Sequence, residues 1–268
     1  MYKFKRSNIL IICLLLLLSS CEKEISINLN KSNPRIVIEG SISNIAGESN
    51  VKITRTLNFD ETIAFPTVGG ALVTITDTLL NKTDTLTELK SGIYNDSTLF
   101  GKEGHIYKLQ VKIANEIYTS LSTMPNSFLF DSIVKMPDLG GPKPPAGTPG
   151  ADNIPFKPSY KNKTKADKYF QYVITRNDSL QNKITVRSDM AASGFSFPIP
   201  FSIQARKNDV LNIDIQFIDK TVYEFLNELN ANIGQFSATP SNPASNISNG
   251  ALGFFKAHTS QKFKLIVK

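Results

Sequence analysis

From Pro34 onward, hydrophobic and polar residues alternate with a period of two, the signature of half-buried β-strands. Arg35-Ile36-Val37-Ile38-Glu39-Gly40-Ser41-Ile42 is the first such run, and Val51-Lys52-Ile53-Thr54-Arg55-Thr56-Leu57 the second. Ala71 to Asp77, Thr85 to Leu89, Tyr107 to Ile113 and Glu116 to Leu121 continue the pattern, and Asn115 is placed to hold a tight turn between the last two. Turn signals recur every eight to fifteen residues. This rhythm predicts an antiparallel, immunoglobulin-like β-sandwich of roughly seven strands over residues 34–125. Gly101-Lys102-Glu103-Gly104 leads into Tyr107-Lys108-Leu109-Gln110-Val111. No helical pattern follows those glycines, so a phosphate-cradling loop is excluded. Tyr107 instead suits a sandwich corner, with its hydroxyl bonded to nearby backbone.

A second β-rich domain is expected over 126–268. Phe128 to Lys135, Lys168 to Arg176, Lys183 to Arg187 and Phe201 to Ala205 read as strands. Val210 to Ile218 is the clearest, with Leu211, Ile213, Ile215 and Phe217 on one face. One amphipathic helix follows over about Lys220 to Ile233, where Val222, Phe225, Leu226, Leu229 and Ile233 form a stripe at helical spacing that suits a sheet edge or face. Gly250 to His258 and Lys262 to Val267 read as a final strand pair. Residues 138–158 hold six Pro and four Gly in 21 residues, a composition that predicts a long loop without ladders. The fold class is therefore all-β: a sandwich followed by a second β-rich domain with one helix.

The start of the chain breaks the period-two pattern. Lys3, Lys5 and Arg6 precede an unbroken apolar run from Ile9 to Leu18. Ten apolar residues span ~15 Å as a helix, about half of a ~30 Å hydrocarbon core, which fits a signal peptide and not a membrane span. The run ends in Leu18-Ser19-Ser20-Cys21. That resembles the bacterial lipobox, and the resemblance implies peptidase recognition through Leu18, Ser19 and Ser20. It implies further that Cys21 becomes the new N-terminus, carrying a diacylglycerol on sulfur and an acyl group on nitrogen. Residues 1–20 are then the leader and 21–33 a lipidated tether. Glu22-Lys23-Glu24 partly resembles a surface-export signal of Bacteroidota lipoproteins.

Charge and composition narrow the function classes. The formal charge of +7 falls to +4 without the leader, too little over 248 residues for a nucleic-acid partner. Two Cys, one of them inside the leader, exclude a disulfide framework, and two His leave little for a histidine-built metal site. No Gly-x-Ser-x-Gly or His-Glu-x-x-His is present. Ser49-Asn50-Val51-Lys52 matches Ser-x-x-Lys without its usual companions. His105 and His258 read as exposed or hydrogen-bonded. Five Asp-Ser/Thr steps, at Asp77, Asp84, Asp96, Asp131 and Asp178, resemble O-glycan acceptors of exported Bacteroidota proteins.

Taken in order, the lipobox, Ile36 to Ser43, Val51 to Thr56, Gly70 to Asp77, Gly92-Ile93-Tyr94, Gly104 to Val111, Tyr118 to Pro125 and Asn242 to Ala257 resemble one family. It is the Bacteroidota lipoproteins grouped as domain of unknown function 4249. The resemblance implies a lipid-anchored outer-membrane lipoprotein displayed at the cell surface, acting beside a TonB-dependent receptor in nutrient capture or uptake. It carries no catalytic residue, cofactor or metal ligand onto this chain. The other readings are a free-standing adhesin or glycan- or peptide-binding lipoprotein, for which Tyr160, Tyr169 and Tyr172 offer aromatic platforms, and a hydrolase with a cryptic site.

Overall fold

A computed structural model describes residues 33–58, 61, 63–137, 153–159, 168–189, 200–233 and 242–268. Leu18, Ser19, Ser20, Cys21 and Tyr160 lie outside the described residues, as does 138–152. The compact unit is Pro34–Leu57 with Thr62–Lys268. Outside it, the Asn58 side-chain amide donates to Glu61 Oε1 (3.0 Å).

Seven strands make the first sandwich: β1 (Ile36–Ser43), β2 (Asn50–Arg55), β3 (Leu72–Asp77), β4 (Lys82–Lys90), β5 (Ile93–Asn95), β6 (Ile106–Ile113) and β7 (Glu116–Thr123). One layer runs β1-β2-β5 and the other β4-β3-β6-β7, with β4 also bridging to β5. That strand order is the immunoglobulin-like arrangement expected from the alternation. The inward positions are the apolar ones: Ile38, Val51, Ile53, Val73, Leu109 and Val111 are fully or almost fully buried. The β6–β7 turn places its left-handed residue at Ala114 (φ +51°), one position before Asn115.

The rest of the chain builds a second, smaller sandwich. Its strands are β8 (Ser132–Lys135), β9 (Asn153–Ser159), β10 (Lys168–Arg176), β11 (Ser179–Leu180), β12 (Thr185–Asp189), β13 (Phe201–Gln204) and β14 (Val210–Ile218). Helix α1 (Lys220–Ile233) and β15 (Leu252–Ile266) follow. One layer is β13-β9-β8 and the other carries β10, β14 and the second half of β15, with β11 and β12 both pairing to β10. Between them lie Phe130, Phe156, Phe170, Phe201, Ile213 and Phe217.

Three differences from the sequence reading have physical causes. The Pro/Gly-rich stretch is not loop throughout, because its last residues form β9. The Pro155 carbonyl accepts from Met136 N–H just past the end of β8, so its missing donor falls at the ladder's end. Pro158 lies beyond Phe156, the last residue of β9 paired with β13 among those described, so it too interrupts no ladder on that side. Second, the expected final pair is one fifteen-residue strand. Leu252 to His258 pair in parallel with β1, and Thr259 to Ile266 pair antiparallel with β14. Third, Ile233 is 67% exposed, so the buried helix stripe is Val222, Phe225 and Leu226, with Leu229 partly covered.

Strand β15 ties the two cores. Phe255 and Ala257 are buried in the first, and Val267, just after the strand, in the second. Gly253 sits at φ +97° so close to β1 that a Cβ there would lie 2.1 Å from the Ile38 carbonyl oxygen. Ala257 N–H donates to Ser122 Oγ of β7 (2.8 Å), and that hydroxyl donates to Asp219. Asp219 in turn caps α1, accepting from Val222 N–H (2.9 Å).

Candidate functional site

Strand β14 sends Leu211, Ile213, Ile215 and Phe217 into the second core and Asn212, Asp214 and Gln216 to the opposite face. Register with β10 and β15 extends that face into three rows: Thr175–Asn212–Lys264, Val173–Asp214–Lys262 and Gln171–Gln216–Ser260. The next row, with Tyr169 and Ile218, packs under α1. The helix's buried residues pack with Val186, Ile218 and Tyr169, and no helix residue lines the groove over the first two rows. What remains is a groove of about 450 Å³ lined by Val173, Thr175, Asn212, Asp214, Lys262 and Lys264.

A hydrogen-bonded chain runs from beneath the helix into this groove. Buried Lys256 donates from Nζ to Gln171 Oε1 (2.7 Å) and to Gln216 Oε1. Gln216 Nε2 donates to Asp214 Oδ2 (2.7 Å), which Ser260 Oγ also approaches (3.3 Å). Burial pulls the Lys256 ammonium down to about 8, against the attraction of Asp214. Burial also raises Asp214, opposed chiefly by the Gln216 hydrogen bond. His258 lies on the same strand, held well below its ordinary range by burial and by the charges of Lys256 and Lys262. It is therefore a neutral imidazole. Asp214 Oδ1 and His258 Nδ1 are buried without a hydrogen-bond partner among the described residues. Lys262 closes the row by pairing with Glu48 of the first sandwich.

This arrangement suits binding better than chemistry. The lysine that burial would activate as a nucleophile is held by two amide oxygens. The carboxylate is separated from it by Gln216, so neither can pass a proton to the other directly. Among the described residues, no group of three or more His, Cys, Asp and Glu side chains converges as metal ligands would.

The residues singled out by motif have structural roles. Tyr107 is the predicted corner: its hydroxyl accepts from Lys102 N–H (2.7 Å) and faces Asp77 Oδ2 (3.3 Å). His105 Nδ1 meets the same carboxylate at 2.7 Å, so this histidine is hydrogen-bonded as expected, whereas buried His258 has no partner for Nδ1 among the described residues. Ser49 Oγ accepts from Ser43 N–H and donates to the Leu99 carbonyl, while Lys52 pairs with Glu39 on the surface. The Ser-x-x-Lys spacing thus assembles nothing. Asp77 and Asp96 accept backbone N–H groups two and three residues on, and Asp178 with Asn177 makes a turn in the left-handed region. Tyr172 stacks on Phe201 inside the core (4.3 Å between ring centroids), and Tyr169 packs against Tyr223. Neither is an open sugar platform.

The model of one family, described as a domain of unknown function (DUF4249), matches residues 22–264. The chain belongs to that family. The DUF4249 match takes in the first sandwich and every residue named along the groove, through Lys264. No curated protein matches the chain significantly. Among solved structures, a two-domain fibronectin type III segment of chicken tenascin is similar at 9% identity and a TM-score of 0.25, covering 88% of this chain and 100% of that one. A cytokine receptor complex is similar at 7% identity and a TM-score of 0.26, covering 85% and 95%. The first three fibronectin domains of chicken CNTN1 give 10% identity and 0.25, covering 88% and 69%.

Proposed function

We propose that this DUF4249 protein is a non-catalytic, lipid-anchored outer-membrane lipoprotein of the Bacteroidota type. In this reading it is displayed at the cell surface and works beside a TonB-dependent receptor in nutrient capture or uptake. The observation that carries the proposal is Leu18-Ser19-Ser20-Cys21 at the end of a ten-residue apolar run behind a basic start. Three acyl chains on Cys21 would give near-permanent attachment, since each buried CH₂ adds ~0.8 kcal/mol. Twelve residues separate Cys21 from Pro34, where the compact unit begins, a tether of at most ~45 Å when extended. The groove of the second sandwich supports ligand capture: it has the volume of a small-molecule site, and its lining sets Val173, Ile213 and Phe263 beside a few polar groups, among them Thr175, Asn212 and Lys264.

Mild-detergent isolation of the tagged protein from its native outer membrane, read by mass spectrometry, tests the partnership. A stoichiometric TonB-dependent receptor is the expected companion, and recovery of the lipoprotein alone would sink it. The anchor is tested separately, because Cys21→Ala should move the protein out of the membrane fraction. The second reading, a free-standing glycan- or peptide-binding lipoprotein, is favoured by the same groove. It predicts binding to a glycan or peptide array without the receptor.

A further inference from the structure

The end of the first sandwich at which the chain enters, beside Pro34, presents apolar side chains to solvent. Phe65 is 63% exposed, Leu89 68%, Leu72 51% and Ile117 48%. Their positions are fixed by contacts around one rim. Arg55 N–H donates to the carbonyl of Pro66, which places Phe65 next to Arg55. The Glu88 carboxylate accepts from Gly70 N–H and Gly92 N–H (both 2.9 Å), which draws the β4–β5 turn with Leu89 and Lys90 onto the entry of β3. Leu72 pairs with Lys112, and Lys112 with Ile117, so these three form the last row of the outer sheet face. Arg35 follows Pro34 and donates to the Gly250 carbonyl.

The rim is basic as well as apolar. Arg35, Arg55, Lys90 and Lys112 are all exposed. Two acids share the rim: Glu88, whose carboxyl the two glycine N–H groups hold below the usual range, and Glu116, which accepts from the Tyr118 hydroxyl, so the four cations outnumber the acids two to one. The opposite end of the sandwich exposes Leu79, Leu80 and Phe100 too, but there Lys82 is paired with Asp84. The exit of the chain and the surplus of cations both mark the Pro34 end.

We propose that this rim is a bilayer-contact face. Phe65, Leu72, Leu89 and Ile117 enter the headgroup boundary of an anionic lipid surface, and the four cations lie at its phosphates. The inference deepens the anchored reading, on which it rests for the membrane concerned. It adds an orientation: the first sandwich stands on its Pro34 end, with the groove of the second held away from the lipid.

The absence of tryptophan makes the test clean. The mature chain carries Phe65→Trp in one variant and Phe100→Trp, at the opposite end, in another. Each is coupled through Cys21, the single thiol left once the leader is gone, to maleimide lipid in phosphatidylcholine–phosphatidylglycerol vesicles. Emission of the Phe65→Trp variant should move to shorter wavelength and be quenched by brominated lipid, while that of the Phe100→Trp variant stays as in the free protein. Adding Lys90→Glu and Lys112→Glu should reverse the shift. Equal responses at both ends, or none at residue 65, would overturn the proposal. Chemical coupling supplies the anchor here, so this result is independent of whether Cys21→Ala leaves the membrane fraction in cells.

Discussion

At the scale of single residues, Lys256 sets a pH dependence that a surface lysine would not. In the unfolded chain it keeps its proton up to its ordinary 10.5, whereas in the folded protein burial releases it near 8. Between those values the unfolded state binds more protons, so stability rises with pH, by up to about 1.4 kcal/mol per unit. Above pH 10 the trend reverses. Tyr107 and Tyr118, held up to about 12 mainly by burial, keep protons that the unfolded chain loses. Urea midpoints should therefore climb from pH 7.5 to 9.5, and Lys256→Met should flatten that climb. An unchanged slope in the variant would mean that another group titrates. Tyr107→Phe removes the acceptor for Lys102 N–H and should cost about 1–2 kcal/mol in the same assay. The Tyr107 corner was legible because a glycine-rich turn before a Tyr-x-Leu-x-Val strand has a local geometry. Lys256 was not, because a lysine between Phe255 and Ala257 reads as the solvent side of a strand. Only the pairing of β15 with β14, and of β14 with β10, brings Gln171 and Gln216 over it.

Elements defined by a single period were readable one by one. Strands β10 and β14 and helix α1 span the residues that their alternation or apolar stripe marks out. What the pattern could not carry is pairing, since alternation specifies a face and never a neighbour. Strand β15 shows this: an apolar first half and an alternating second half flank the polar Thr259-Ser260-Gln261, so it looks like a hairpin in the sequence, but one half adds to β1 and the other to β14. Gly253 is the position where that placement is most exposed to test. Its φ of +97° is foreign to L side chains, and a methyl group there would strike the Ile38 carbonyl. Gly253→Ala should cost more than about 3 kcal/mol by chemical denaturation, through both backbone strain and separation of β15 from β1. Gly250→Ala is the control, because it shares a positive φ (+70°) but meets nothing within 4 Å and should cost much less.

At the scale of the whole molecule, the shared strand joins the two sandwiches into one mechanical piece. The first twelve steps of β15, from Leu252 beside β1 to Lys264 in the groove, can span up to about 40 Å. Side-chain links reinforce the joint: Ser260 N–H reaches Asn44 Oδ1 (2.9 Å), and Lys262 pairs with Glu48. A chain cut after residue 125 keeps all seven strands of the first sandwich but loses Phe255 and Ala257 from its core. Phe255 alone, fully buried, contributes about 1.5–3 kcal/mol of burial, and its loss bares Gly40 and Leu109, against which it packs. The fragment 34–125 should therefore melt well below the intact protein or remain partly unfolded, and the intact protein should melt in one transition by calorimetry. Two separate endotherms, with the fragment reproducing one of them, would show that the strand is an accessory and the sandwiches independent. One transition would mean instead that whatever occupies the groove is held at a set distance and angle from the Pro34 rim. A protein presenting a ligand to a membrane receptor needs that rigidity, and a flexible two-bead adhesin does not.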